Sequence, residues 1–167
     1  MRYLFLAALA LIFAACSSPK PELATVERVQ INKYLGKWYE IARYEHSFEV
    51  GCSDVSATYS LKENGEIQVL NSCTKEGGIL TQAKGVAYAT DATNSKLKVS
   101  FFWPFYGDYW VLALDENYTY AVIGEPSRKY FWILSRTKIL DERVKQNILS
   151  QMPQFGYEEK KLIWTKQ

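Results

Sequence analysis

From residue 37 to residue 136 the chain repeats one unit, a short run rich in Val, Ile, Tyr, Trp and Thr followed by a polar break. The runs fall at 37–46, 53–62, 66–73, 80–89, 96–103, 107–114, 118–124 and 129–136. Between them lie segments such as "KENG", "DATNS", "DEN" and "EPSR", whose Asn, Asp, Gly, Pro and Ser favour close turns. Such strands, joined mostly by short loops, predict an antiparallel up-and-down meander, which loses both exposed edges when it closes on itself. The expected fold class is all-β: an eight-stranded up-and-down barrel.

Alternation of period two assigns the faces. In "KLKVSFFW", Leu97, Val99, Phe101 and Trp103 share one face while Lys96, Lys98 and Ser100 share the other. "DVSATYSL" sorts in the same manner, with Val55, Ala57, Tyr59 and Leu61 on the apolar face. In "QAKGVAYA" the corresponding face is Ala83, Gly85, Ala87 and Ala89, with almost no side-chain volume. Either this strand thins the wall of an underfilled barrel, wide enough for one small ligand, or it is sharply bent or covered from outside. The first reading gives an apolar cavity with Ala42, Val55, Ala57, Tyr59, Ala87, Val99, Phe101, Phe105, Tyr109 and Trp132 as candidate ligand-binding residues. Strict alternation also turns Glu40 inward beside Ala42, where a carboxylate requires a polar partner or a raised pKa. The aromatics of "FFWPFYGDYW" exceed what one thin loop can bury. They either form a local core or line an entrance and face a partner or a membrane.

One helix is expected after the strands. "LDERVKQNILSQMP" places Leu140, Val144, Ile148 and Met152 on one face, with Asp141 as N-cap and Pro153 as the stop. Phe131 and Ile133, opposite Tyr130, Trp132 and Leu134, offer the outer surface on which that face lies. "KLIWT", 161–165, reads as a short closing strand.

The N-terminus is different in kind. Residues 1–15 combine Arg2, an apolar run and the small pair Ala14–Ala15, a run far short of the roughly 20 residues that span a bilayer as a helix. They read as a signal peptide for export. "FAAC" resembles the lipobox of bacterial lipoproteins, with Phe13 where Leu is usual, which makes Cys16 the lipid attachment site. Residues 16–28, containing the polar "SSPKPELAT", read as a lipidated tether, and residues 29–167 as the barrel domain. Ser17 after the cysteine resembles the sorting rule for the outer membrane. In an exported chain Cys52 and Cys73 form a candidate disulfide. A two-residue Asn64–Gly65 turn would set Cys73 against Ser56, so the bridge needs a longer turn, a bulge, or the chain before the second strand folding back. Otherwise both are free thiols.

Other classes find little support. The net charge is +2 with Lys and Arg scattered, which gives no nucleic-acid footprint. His46 is the single histidine, and the chain has no Gly-x-Ser-x-Gly elbow and no His or Cys cluster suited to a metal. Neither an enzyme nor a cofactor is expected. Asn117-Tyr118-Thr119 matches a glycosylation sequon without further meaning in an exported bacterial protein. A barrel embedded in the membrane would need an apolar outer belt, and Lys96, Lys98 and Ser100 lie opposite the apolar face.

Gly36-Lys37-Trp38-Tyr39, the turn "LDENY" running into "YAVIG", and "YFWILSR" ending in Arg136 together resemble the three sequence blocks of the lipocalins, in order. The middle block carries two residues between Asp115 and Tyr118 where many members have none. The wording is most similar to the bacterial outer-membrane lipoprotein lipocalins. The resemblance implies that Trp38 plugs the closed end of the barrel, that Arg136 lies across its indole, and that Gly36 leaves the entry clear. It implies a small lipid ligand, a fatty acid or lysophospholipid, and a role in lipid carriage or membrane maintenance under stress. It further implies an acyl anchor in the outer membrane, facing the periplasm, and leaves a homodimer open. A filled barrel serving as an anchored interaction module is the alternative.

Overall fold

The computed structural model describes residues 22–167. The signal peptide, Cys16 and the first part of the tether lie outside the described residues. The strands are β1 (Gly36–Tyr44), β2 (Ser53–Leu61), β3 (Ile67–Lys75), β4 (Ile79–Ala89), β5 (Lys96–Phe102), β6 (Phe105–Leu114), β7 (Tyr120–Gly124) and β8 (Phe131–Ser135). A short helix α1 (Ile31–Tyr34) precedes them, and α2 (Glu142–Phe155) and β9 (Leu162–Trp164) follow. Every neighbouring pair from β1 to β8 is antiparallel, and β1 pairs with both β8 and β2, so the eight strands close into a barrel.

Closure uses the end of the chain. The lower half of β1 pairs with β2 from Gly36 to Tyr39, while its upper half, Ala42 to Tyr44, pairs with β9. The Gln167 side chain then donates to the Glu40 and Val55 carbonyls, tying β1 to β2 where their ladder has parted.

Two apolar clusters divide the molecule. The inner one contains Trp38, Tyr34, Tyr59, Val69, Ala87, Leu97, Val111, Ile123 and Leu134. The outer one joins Phe131, Ile133, Val122 and Leu112 to Ile148, Leu149 and Met152 of α2. Burying each of those three helix side chains contributes about 1.5–3 kcal/mol and holds α2 against the barrel. Asp141 caps the helix by accepting from the amides of Arg143 and Val144. Pro153 is not its stop, because it sits inside the last turn and the helix ends at Gly156 in the left-handed conformation (φ 79°). Proline's fixed φ is compatible with that turn, whereas reversing the chain needs a positive φ that glycine adopts freely.

Part of residues 16–28, expected as tether, docks on the barrel. Leu23 is 2% exposed and belongs to the outer cluster, and the Val26 amide donates to the Val111 carbonyl. An isolated apolar side chain in a polar stretch has no periodicity to announce that it docks.

Candidate functional site

Trp38 and Arg136 shape the floor. The Arg136 guanidinium lies 3.8 Å from the centre of the Trp38 ring, and the indole donates to the Tyr34 carbonyl at 2.8 Å. Arg136 also donates to the carbonyls of Lys33, Leu35 and Lys37 at 2.8–2.9 Å, so one side chain fastens the C-terminal end of α1 across the barrel. Gly36 stands at φ +90°. A residue with a Cβ would be strained there, and its Cβ would lie 3.5 Å from the guanidinium. The Val29 amide bonds to the Thr93 carbonyl, and the Gln30 amide to the Tyr118 hydroxyl, which seats the entering chain on the β4–β5 and β6–β7 turns. This end is closed.

The opposite end is open. Val99, Tyr109, Ala57 and Trp132 are only half-buried although they pack against the inner cluster, and Ala83, higher on β4, is exposed. β5 pairs with β4 only from Val86 to Ala89, so among the described residues no strand is paired with the upper part of β4 on that side. The result is a cup with a packed base and a wall that is apolar where Ala57, Val99, Tyr109 and Trp132 form it. Val55 is buried on β2, and Tyr59 and Ala87 belong to the packed base rather than to the open part. The room left by Gly85 is taken up: a Cβ there would come within 2.8 Å of the Phe101 ring and 2.7 Å of the Ser100 carbonyl. At the rim, Phe102, Trp103 and Phe105 are 71–80% exposed. Phe105 therefore stands at the tip of the β5–β6 hairpin, above the wall. His46 stacks on Phe48 (centroids 3.8 Å apart) and approaches Trp132 and Tyr130, extending the aromatic rim across the β1–β2 loop.

Ala42 is not on the cup wall. A bulge between Glu40 and Ala42 inserts one residue, so Glu40 opposes Leu134, whereas Ala42 opposes Ile133 and joins the outer cluster. One extra residue exchanges every later side chain between faces. Arg43, opposite Trp132, takes the inward place.

That exchange assembles an ionic cluster that alternation did not foresee. Arg43 Nη1 donates to Glu40 Oε1 at 3.0 Å, and Nη2 to the Glu49 carbonyl at 3.0 Å. Arg43 Nε lies 3.4 Å from Glu49 Oε2, and the Thr165 hydroxyl donates to Glu40 Oε1. All three ionisable residues are buried. Burial, reinforced by the charge of Glu40 and a hydrogen bond with it, pushes the Glu49 carboxyl up to about 9. His46, 3.5 Å from Glu49, is lowered to about 4 by burial and by the Arg43 charge. Glu40 thus has its polar partners, and the cluster fastens the β1–β2 loop to the barrel.

Cys52 and Cys73 are bonded, with Cα atoms 5.4 Å apart. The register explains how. Leu61 opposes Ile67 and Ser56 opposes Ser72, which makes the turn one residue longer than Asn64–Gly65 alone would give. A further irregularity between Ser53 and Ser56, with Asp54 at φ 48°, brings the start of β2 round to Cys73.

Comparison with known proteins accords with this geometry. The model of the lipocalin-like domain matches residues 29–167. The chain belongs to the lipocalin family. Lipocalins are generally binding and transport proteins. Among the relatives of this lipocalin, "Outer membrane lipoprotein Blc" of Escherichia coli K12 is 45% identical over 162 residues, covering 95% of this chain and 92% of that protein. The protein of the same name from Vibrio cholerae is 39% identical and covers 100% and 99%. Apolipoprotein D of Macaca fascicularis is 36% identical over 185 residues, covering 100% and 95%. Insecticyanin of the tobacco hornworm superposes with a TM-score of 0.73 over 88% of this chain and 85% of its own at 22% identity, a likeness of fold.

Proposed function

We propose that this lipocalin is an acylated protein, attached through Cys16 to the periplasmic face of the outer membrane, that binds fatty acids or lysophospholipids in its cup. The observation that carries the reading is the cup itself, a sealed base below half-buried apolar walls and an open mouth. An acyl chain laid along such a wall gains about 0.8 kcal/mol for each buried methylene, so useful affinity needs no specific polar contact. The names of the Escherichia coli and Vibrio cholerae relatives support the outer-membrane anchor, as do "FAAC" and Ser17. The role proposed for it there is lipid carriage and maintenance of the membrane under stress.

The test uses residues 17–167, which contain every described element. A fluorescent fatty acid is bound and then displaced by lysophospholipid, with Val99→Trp as the blocked variant. Val99 suits the purpose because it is half-buried and packs beside the open part of the cup. Binding by the natural sequence and its loss in the variant support a carrier. No binding by either would point to an anchored interaction module instead.

A further inference from the structure

Three phenols meet at the base of the cup. The Tyr34 and Tyr109 hydroxyls are 2.6 Å apart, and those of Tyr59 and Tyr109 are 3.0 Å apart. They come from α1, β2 and β6, positions 75 and 50 residues apart along the chain. None of the three hydroxyls makes another hydrogen bond with the described residues. Tyr34 and Tyr59 are buried, and Tyr109 is half-buried, so the group reaches the open part of the cup through Tyr109.

The protons do not balance. Each hydroxyl brings one proton, and each of the two contacts consumes one. Whichever way the chain of donors runs, one O–H remains without an acceptor. Buried donors are nearly always paired with protein, water or ligand, and a leftover one marks a place for something the protein chain does not supply.

We propose that the base of the cup is a hydrogen-bond donor site for an uncharged carbonyl oxygen, a ketone or ester, carried on an apolar ligand. The proposal rests on the reading that the cup binds apolar ligands. A carbonyl accepts the spare proton without adding one of its own, as a ligand hydroxyl would. Charge is disfavoured at this depth. Burial raises Tyr34 and Tyr109 well above the usual phenol value and Tyr59 to about 12, because an anion there is poorly solvated. A ligand carboxylate placed beside them meets the same penalty.

The experiment compares hexadecanoic acid with oxo-hexadecanoic acids whose ketone is moved stepwise toward the methyl end, each displacing a fluorescent fatty acid from residues 17–167. One ketone position should bind several-fold to about tenfold more tightly than the parent acid, the worth of one added hydrogen bond. Replacing all three tyrosines, Tyr34→Phe, Tyr59→Phe and Tyr109→Phe together, should erase that preference while the parent acid still binds. Tyr109→Phe alone should weaken it, since Tyr34 and Tyr59 are buried and the group reaches the open part of the cup through Tyr109. Equal binding of all the acids, or a preference that survives the triple replacement, overturns the donor site and leaves the lipid-binding reading standing. Failure of the parent acid to bind overturns both. A crystal structure with the preferred ketone gives a reading independent of the variants' folding. A carbonyl oxygen within hydrogen-bond distance of a phenol supports the site, and water alone on the hydroxyls overturns it.

Discussion

Replacing Arg136 by Met removes the fastening of the closed end while keeping most of the side chain's length. Three of its hydrogen bonds, to the carbonyls of Lys33, Leu35 and Lys37, are 2.8–2.9 Å long, and longer ones reach Tyr34 and Tyr118 at 3.2 Å. A hydrogen bond from a charged donor contributes about 1.5–3 kcal/mol. The carbonyls of Lys33 and Lys37 face solvent with the guanidinium and regain water when it is lost, so the lower end applies to them. The cation over Trp38 adds about 0.5–2 kcal/mol. Because these contacts share one side chain and are not additive, the expected loss is about 3–5 kcal/mol. That is a large fraction of the roughly 5–15 kcal/mol that holds a domain folded. Lysine, a single-point donor that cannot span several carbonyls, should recover less than half. Urea unfolding followed by tryptophan fluorescence gives the midpoints, with the slope expected to stay constant. If Arg136→Met costs under 1 kcal/mol, or Arg136→Lys equals the natural sequence, the floor is held by packing alone and the argument is wrong.

Two further perturbations bear on the mouth. His46 is held neutral, its pKa lowered from 6.5 to about 4, so its contribution is present above pH 6.5 and lost as pH falls toward 4. Glu49, raised from 4.5 to about 9, contributes fully below pH 4.5 and loses that contribution as pH rises through 9. Between about 4.5 and 6.5 the two slopes oppose each other, so stability should be flat there and decline from pH 6.5 to 9 by up to about 1.4 kcal/mol per pH unit. Glu49→Gln should abolish the alkaline decline in urea midpoints, and an unchanged decline would remove Glu49 as its cause. Replacing both Cys52 and Cys73 by Ala opens a loop of 21-residue separation. The chain-entropy model gives a loss of about 3 kcal/mol, to be read as a lower thermal midpoint. A midpoint that does not move would mean that the tail and the Arg43 cluster already fix this end.

Much of the fold can be read from residues because the barrel separates an apolar interior from a wet exterior, and period two records that separation. Val99 and Leu97 against Lys96 and Lys98 are enough to orient β5. The helix is equally legible, since Leu140, Val144, Ile148 and Met152 must find a surface and Phe131 with Ile133 provide it. Its exact end is not. Pro153 looks like a stop because it lacks an amide, yet a helix's last turn tolerates it, and the deciding residue is the positive-φ Gly156.

The site is less legible, and the reason is the bulge at Glu40–Ala42. Under strict alternation "EIARY" offers a face with Glu40, Ala42 and Tyr44 or one with Ile41 and Arg43, and each face contains a charge. Alternation carried on from Trp38 selects the first, and nothing in the strand announces the bulge that then sends Ala42 outward and Arg43 inward. The decision comes from elsewhere in the chain. Ile41, Ala42 and Tyr44 are drawn outward into the cluster beneath α2, and β9 brings Thr165 to Glu40. Arg43 can then bury its guanidinium only because the β1–β2 loop returns Glu49 to it. A buried charge left unpaired is strongly destabilising, so the bulge, the loop and the final strand stand or fall together. The tyrosine group is the same kind of feature. Tyr59 and Tyr109 are recognisable as inward-facing residues, but the three-membered group appears only when α1 delivers Tyr34 to them. Single-strand patterns report which face a residue takes, whereas the chemistry of this cup arises where segments distant in the chain supply one another's missing partners.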